Sequence, residues 1–285
     1  MINMLPYDLK ECFEVYKDAV ARKKAGDVKD ELLNIEPAMQ QCYDNYKTHF
    51  HANNLEYILP AQVGQEHKEE LIDMYNSKSS LIKNFRKRFF EINRQTYNNL
   101  CPYCVVGEAT TTEHILPKDI FPEFAINVLN LIPCCSQCNS LKGEEILNTN
   151  NEKLILNLYT DILPKVQFLF IDITYNHNLN FNYRLSNVNN INNQLYNLIE
   201  RHFTKLDLIS RYKFKAIQLF AEIKNMYIAQ HFSNVAEFDI FAQNQLNAHN
   251  MNIRYYGINH WKMVLEHACA SSPTFKQFIL DQLGF

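Results

Sequence analysis

Two short stretches decide how this chain folds: Cys101-Pro102-Tyr103-Cys104 and Cys135-Ser136-Gln137-Cys138. A CxxC turn presents two thiolates to one tetrahedral metal ion, and two such turns complete a closed four-cysteine shell. The competing interpretations are a redox-active CxxC or two disulfides, but neither explains why both pairs lie in one short window. The spacing therefore predicts a structural zinc site, whose closed shell leaves no coordination position for catalysis.

The chain has eight cysteines, and four of them lie outside the two pairs. Cys134 directly precedes the second pair and could act as the ligand in a slipped register, although the CxxC spacing favours Cys135. We expect Cys134 to pack in the core. Cys12, Cys42 and Cys269 stand alone, and we expect each to be a small buried apolar residue.

We call the segment from Cys101 to Cys138 the cysteine frame. Five polar residues lie within it or just after it: Glu113, His114, Asn130, Asn139 and Lys142. The order CxxC, Glu-His, Asn-Leu, CxxC-Asn, Lys resembles the HNH endonuclease family, whose small ββα-metal fold is often stapled by two CxxC pairs. The resemblance covers residues 101–145. It implies hydrolysis of DNA phosphodiester bonds by a metal-dependent endonuclease.

The resemblance also implies a role for each residue. His114 would be the general base that activates water, and an ordinary imidazole titrates near neutrality, which suits that task. Glu113 and Asn139 would supply oxygen ligands to one catalytic Mg²⁺ or Mn²⁺ ion, a type of ion that prefers oxygen donors. Asn130 would brace the loop between the two strands and orient the base.

Two positions depart from the commonest HNH pattern: Asn139 stands where His is frequent, and Glu113 where Asp is frequent. Taken singly, a His beside a Glu is usually a surface pair, and an Asn after a Cys usually caps a turn. The alternative from a different class is therefore a non-catalytic zinc ribbon that binds nucleic acid or acts as a scaffold. RNA as the substrate also stays open.

Basic residues near the cysteine frame are candidate contacts to DNA phosphates. Lys118 lies inside the frame and Lys142 just after it, and the most basic run of the chain, which precedes the frame, contains Lys83, Arg86 and Lys87. Lysine and arginine on one helix face can neutralise phosphates. A solvated basic face explains the run before the frame equally well.

A narrower resemblance points to a biological setting. The Glu-His-x-x-Pro-Lys segment from Glu113 to Lys118, followed by Asn-Leu-x-Pro and CxxC-Asn, is similar to HNH proteins of bacterial anti-phage systems, including Septu-type nucleases. Those proteins work beside an ATPase. The resemblance implies an ATPase partner that would dock on the helical regions outside the cysteine frame.

Periodicity and the HNH resemblance together predict a helix-rich α+β protein with three segments. These are a helical N-terminal region (1–97), the ββα-metal nuclease core that the resemblance implies, with its zinc site (98–150), and a C-terminal α/β region (151–285). The expected N-terminal helices cover about 7–25, 28–46, 67–75 and 80–97. Val166–Ile173 and Leu179–Leu185 are expected to form a hairpin. Five further helices follow, the last of them starting at Ser272-Pro273 and ending at Gly284.

Composition and charge exclude several classes of protein. Hydrophobic residues make up 47% of the chain, so it is not intrinsically disordered. Its net charge of −3 argues against a protein that coats DNA unaided. The N-terminus lacks the features of a signal peptide, and no apolar run approaches the roughly 20 residues that cross a bilayer. We therefore expect a cytoplasmic protein without a membrane segment.

Overall fold

The computed structural model describes residues 3–8, 12–76, 80–93 and 99–285. Helices dominate, and two small antiparallel sheets accompany them, so the expected helix-rich α+β class is confirmed. Among the described residues, none of the helices combines the length and apolar character needed to cross a membrane. Contacts group the chain into two compact units, Asn3–Ile162 and Leu163–Phe285. The expected division at residues 97 and 150 stays a prediction.

Seven of the helices in the described residues belong to the first unit. In chain order they are α1 Cys12–Ala21, α2 Asp27–Asn34, α3 Glu36–His51, α4 Gln62–Glu66, α5 Lys68–Asn76, α6 Ser80–Ile92 and α7 Ser136–Lys142. The core of this unit is aromatic, because α3 places Tyr43 and Tyr46 against Phe124, with ring centroids 6.4 and 4.8 Å apart. The expected extension of α6 to residue 97 lies outside the described residues.

The second expected helix is in fact two. The apolar spacing predicted one helix over about 28–46, but α2 ends at Asn34 and α3 begins at Glu36. Pro37 lies in the first turn of α3. Backbone N–H groups in the first turn have no acceptor within the helix, so the N–H that proline lacks costs no hydrogen bond there. A proline at that position starts a helix, and the earlier turn cannot continue through it.

A two-stranded sheet carries the residues between the cysteine pairs. Strand β1 (Thr111–His114) pairs antiparallel with β2 (Leu131–Cys134), so that His114 lies opposite Leu131. Cys135 then caps α7, its sulfur accepting a hydrogen bond from the Cys138 N–H. The sequence therefore folds locally as strand, strand and helix, and α7 packs against β1.

The second unit begins with the expected hairpin, formed by β3 (Leu169–Tyr175) and β4 (Leu179–Leu185). Strand β3 starts three residues later than the expected start at Val166. Asn259 explains the shift, because its side chain accepts from the N–H groups of Phe168 and Leu169 and donates to the Val166 carbonyl. These backbone groups are satisfied by a side chain instead of a neighbouring strand.

Five helices complete this unit: α8 Asn193–Lys205, α9 Leu208–Ile228, α10 Val235–Tyr256, α11 Trp261–Ser271 and α12 Pro273–Leu283. The expected ends of α12 are confirmed, since the Ser272 hydroxyl accepts from the Phe275 N–H and Gly284 follows the helix with φ 84°. The apolar spacing in α9 predicts one buried stripe, and only part of it is buried; its members are Phe214, Ile217, Leu219, Phe220, Ile223 and Met226. Phe214 and Ile217 are 79% and 55% exposed, whereas Phe220 and Ile223 lie on the buried face with Tyr212, Ala216 and Tyr227.

Candidate metal centre and the polar residues beside it

Four thiols converge in the first unit. The sulfur atoms of Cys101, Cys104, Cys135 and Cys138 all lie within 4.8 Å of one another, and all four residues are buried. The turn after the first pair is held by the Val105 N–H, which donates to the Cys101 carbonyl at 2.7 Å. The second pair is held at the start of α7. The two CxxC pairs are therefore brought together as the spacing predicted.

The cluster fits a tetrahedral zinc ion. Zinc–sulfur bonds of about 2.3 Å place neighbouring sulfurs of a tetrahedron about 3.8 Å apart. The Cys104 and Cys135 sulfurs are 3.8 Å apart, whereas a disulfide would need about 2.05 Å. None of the eight cysteines, which all lie within the described residues, forms a disulfide. Hydrogen bonds from Cys101 and Cys104 lower the pKa of the Cys135 thiol, whereas burial raises the pKa of the Cys101 thiol.

The turn after the first cysteine pair leaves no space for a side chain at position 107. A Cβ atom added at Gly107 would lie 3.0 Å from the Cys135 Cβ and 3.3 Å from its sulfur. The Gly107 carbonyl also accepts from the Cys101 N–H at 2.8 Å. Gly107 therefore lets the first turn approach the second pair closely.

Cys134 takes no part in the cluster. It is fully buried at the end of β2, and its sulfur lies 3.4 Å from the Thr111 hydroxyl across the sheet. Burial raises the pKa of its thiol to about 12, so it stays protonated. The expectation that Cys134 packs in the core is confirmed.

Asn130 ties together the loop that joins β1 to β2. Its side-chain oxygen accepts from the Leu116 N–H at 2.7 Å, and its amide nitrogen donates to the carbonyls of Leu116 and Phe124 at 2.9 and 3.2 Å. The Tyr46 hydroxyl adds a fourth bond from α3 at 3.2 Å. Asn130 is fully buried. Its polar atoms therefore brace both ends of the loop at once.

His114 ends β1, and its ring is oriented by a backbone carbonyl. Its Nε2 lies 2.9 Å from the Ala125 carbonyl oxygen, which can only accept. Nε2 therefore carries the proton, and Nδ1 keeps the lone pair that can take a proton from water. Burial lowers the pKa of His114 to about 4, so the imidazole is neutral at pH 7.

Glu113 lies beside His114 on the same strand and contacts α7. Its Oε1 lies 2.9 Å from Lys142 Nζ, and the side chains of Glu113 and Lys142 are 8% and 3% exposed. Burial raises the pKa of the Glu113 carboxyl, and the nearby Lys142 charge opposes that rise. The two residues thus form a buried ion pair, a partnership that the sequence did not suggest.

Asn139 lies on the helix that bears Lys142. Its place directly after the second cysteine pair predicts that it opens a short helix, but α7 begins at Ser136 and Asn139 falls in its middle. The start lies earlier because Cys135 itself acts as the N-cap. Asn139 is half-buried, and its backbone N–H donates to the Cys135 carbonyl. Its amide is the most accessible of the four expected catalytic side chains.

The basic residues that are candidate contacts to DNA phosphates differ in their surroundings. Lys118 pairs with Asp119 at 2.9 Å, and its charge contributes to lowering the pKa of His114. Arg86 donates to the carbonyls of Ala109 and Thr110, immediately before β1. Lys83 and Lys87 are exposed on α6. Arg86 therefore supports the start of β1, while the two lysines face solvent.

Sequence reasoning missed Tyr75. Its ring lies 4.5 Å from the His114 ring, edge-on at 66°, and its hydroxyl donates to the Thr112 carbonyl at 3.1 Å. The only available signal was its place on the apolar face of a helix, which also describes an ordinary core residue. Its contact with His114 depends on how α5 packs against β1.

Comparison with known proteins gives two partial matches. The chain is 22% identical over 185 residues to Protein ea31 of Escherichia phage lambda, and this match covers 61% of this chain and 62% of that protein. It is 41% identical over 51 residues to Septu protein PtuB of Bacillus thuringiensis, which covers 16% of this chain and 20% of that protein. The chain therefore matches less than two thirds of either relative. No family model matches it, and no solved structure does.

Proposed function

We propose that this chain is a metal-dependent endonuclease of the HNH class that hydrolyses DNA phosphodiester bonds. The observation that carries the proposal is the tautomer of His114. Because Nε2 donates to the Ala125 carbonyl, Nδ1 is the basic nitrogen of a neutral ring. A general base for an attacking water needs that state.

The neighbouring residues support the same chemistry. Glu113 offers a carboxylate one residue before the base, and Asn139 offers an amide oxygen on the helix that packs against β1. These hard oxygen donors fit Mg²⁺ or Mn²⁺. When bound, such an ion supplies positive charge at the scissile phosphate and the leaving 3′ oxygen. Asn130 holds the loop so that the Ala125 carbonyl stays in place for His114.

The cysteine cluster has a separate, structural role in this proposal. Zinc bound by Cys101, Cys104, Cys135 and Cys138 would fix α7 relative to the turn before β1. The Lys142 ammonium group would then be held beside Glu113, on the same helix as Asn139. Since a four-thiolate shell is closed, this metal would stabilise the unit and not take part in hydrolysis.

We further propose a role in anti-phage defence with an ATPase as partner. The support is the 41% identity to Septu protein PtuB over 51 residues, together with the Glu-His-x-x-Pro-Lys and CxxC-Asn motifs. The likeness to a protein of phage lambda leaves a phage-borne role as the competing setting. Protection of cells from phage infection, lost on His114→Ala substitution, would separate the two.

The nuclease proposal is tested with purified, zinc-loaded protein and supercoiled plasmid. Nicking should require Mg²⁺ or Mn²⁺, and it should fall at least a hundredfold in His114→Ala, since general base catalysis contributes about 10²–10⁴-fold. His51→Ala is a matched control, because His51 is exposed on α3 and far along the chain from the motif. The same assay with RNA decides which nucleic acid is cut.

A non-catalytic zinc module that binds nucleic acid or acts as a scaffold is the second candidate. The buried ion pair between Glu113 and Lys142 favours it, because a purely structural role needs no free carboxylate. Equal nicking by the wild type and His114→Ala, or none with either ion and the co-purified partner, would support this candidate. Nucleic-acid binding without cleavage would complete the case.

A further inference from the structure

The His114 ring is covered. Thr112, Glu113 and His114 are all buried, and His114 is only 6% exposed. The residue that lies over the ring is Tyr75 of α5, edge-on at a centroid distance of 4.5 Å, with its hydroxyl bonded to the Thr112 carbonyl. A general base must come within about 3 Å of the proton that it removes, directly or through one water. Tyr75 therefore covers one side of the ring and would have to move for DNA to approach from that side.

Two further hydrogen bonds fasten the same helices to the loop after β1. Gln65 Nε2 on α4 donates to the Ile120 carbonyl at 2.9 Å, and Lys68 Nζ on α5 donates to the Asp119 carbonyl at 2.5 Å. Together with Tyr75 they tie α4 and α5 to β1 and to the loop that carries Lys118. All three bonds end on backbone carbonyls of the segment 112–120.

The charge of α4 and α5 is also unsuited to DNA. Residues 62–76 contain four acidic side chains and one lysine, a net charge of −3 with His67 neutral. The acidic residues are Glu66, Glu69, Glu70 and Asp73. A phosphate backbone approaching His114 from this side would meet repulsion instead of counter-charges.

The hydrogen bonds that Gln65 and Lys68 make to this loop are weaker than those that Tyr46 of α3 makes. The bonds made by Gln65 and Lys68 are exposed to solvent, and such bonds contribute about 1 kcal/mol or less each. Tyr46 of α3, by contrast, makes buried bonds to Leu129 and Asn130 and packs on Phe124. The exposed bonds are therefore the easier ones to break, while the Ala61 N–H just before α4 also donates to the buried Glu123 carboxylate at 2.8 Å.

We propose that α4 and α5 form a lid over His114, and that the lid must lift before DNA can be cut. The proposal rests on the nuclease function assigned above. Lifting the lid would expose the His114 Nδ1 and remove the acidic face from the path of the phosphates.

The lid is tested by the rate at which diethyl pyrocarbonate modifies His114 in the intact chain, read by peptide mass spectrometry. The exposed His51 gives the reference rate within the same molecule. We expect His114 to react at least tenfold more slowly than His51 in the wild type. The double variant Gln65→Ala/Lys68→Ala should react at least fivefold faster at His114. Gln62→Ala is the matched control, since it loses only a bond to Glu66 within α4.

A reversible crosslink that holds the lid closed tests whether His114 becomes better protected. Gln65→Cys with Ile120→Cys, in a Cys42→Ser background, is bridged by a bismaleimide that contains a cleavable disulfide. The bridge should protect His114 at least fivefold, and a mild reductant should restore the unbridged rate. Plasmid nicking, if the chain is a nuclease, should fall and return in parallel.

Equal His114 rates in the loosened, wild-type and bridged proteins would overturn the lid, as would a wild-type rate equal to that of His51. Because chemical modification does not depend on cleavage, a chain that shows lid behaviour but never nicks DNA contradicts the nuclease proposal alone. Circular dichroism and zinc content, measured beforehand, identify any variant that has failed to fold.

Discussion

Lys142 Nζ lies 2.9 Å from Glu113 Oε1, with both side chains almost fully buried, so the end of α7 and the end of β1 are joined by an ion pair. Breaking a buried pair by removing one partner leaves a buried charge without compensation. The loss is typically about 3–5 kcal/mol.

Lys142→Met should therefore lower the free energy of unfolding by about 3 kcal/mol, measured by urea denaturation of the zinc-loaded protein. The double variant Glu113→Gln/Lys142→Met should recover much of that loss, because the remaining groups are neutral. A Lys142→Met protein as stable as the wild type would mean that the pair contributes nothing.

Zinc content should follow the four clustered thiols and not Cys134. Cys138→Ser should lose the bound zinc and the cooperative unfolding transition of the first unit, because zinc binding in such sites contributes to folding. Cys134→Ala is the matched control: it removes a neighbouring buried thiol and should keep one zinc per chain. Both results come from metal analysis after gel filtration, and zinc retained by Cys138→Ser would contradict the assignment.

Asn130→Ala should destabilise the first unit strongly. The change removes the partners of the Leu116 N–H and of the Leu116 and Phe124 carbonyls, all in a buried loop. Unsatisfied buried groups cost about 1–3 kcal/mol each, so we expect a loss of roughly 3 kcal/mol or more. Tyr46→Phe removes one bond to the same side chain and should cost about 1 kcal/mol. Similar losses in the two variants would argue against Asn130 as the brace.

Acid should affect His114 at an unusually low pH. Because burial lowers its pKa from 6.5 to about 4, the unfolded chain binds this proton more tightly than the folded chain between those values. Stability from this residue is therefore present at pH 7 and declines as the pH falls from about 6.5 toward 4. Unfolding at pH 7 and pH 5 should differ less in His114→Gln than in the wild type, and an unchanged difference would contradict the shifted pKa.

Lys83 and Lys87 should affect DNA affinity, whereas Arg86 should affect stability. Both lysines are exposed on α6, and Arg86 bonds to two carbonyls before β1. If the lysines contact phosphates, Lys83→Ala/Lys87→Ala should reduce the slope of log affinity against log salt by about 2. Arg86→Ala should lower the unfolding midpoint. An unchanged salt slope in the lysine variant would identify α6 as a solvated basic face.

The sequence by itself determined the cysteine cluster and the local elements around it. The CxxC spacing, the alternation in β4 and the Ser272–Gly284 signals of α12 all act over a few residues, so local physics sets them. The break between α2 and α3 was missed, although Pro37 is a local signal for the start of a new helix. The start of β3 was misplaced because Asn259, some ninety residues away, satisfies the backbone groups before the strand.

The tertiary structure decided which side chains meet. Nothing in the spacing pairs Glu113 with Lys142, turns the His114 ring toward the Ala125 carbonyl, or brings Tyr75 over that ring. The same holds for the exposed Phe214 and Ile217 on a helix whose apolar stripe predicted burial. Periodicity fixes which face of an element is apolar, but burial and hydrogen-bond partners depend on packing between elements distant in the chain.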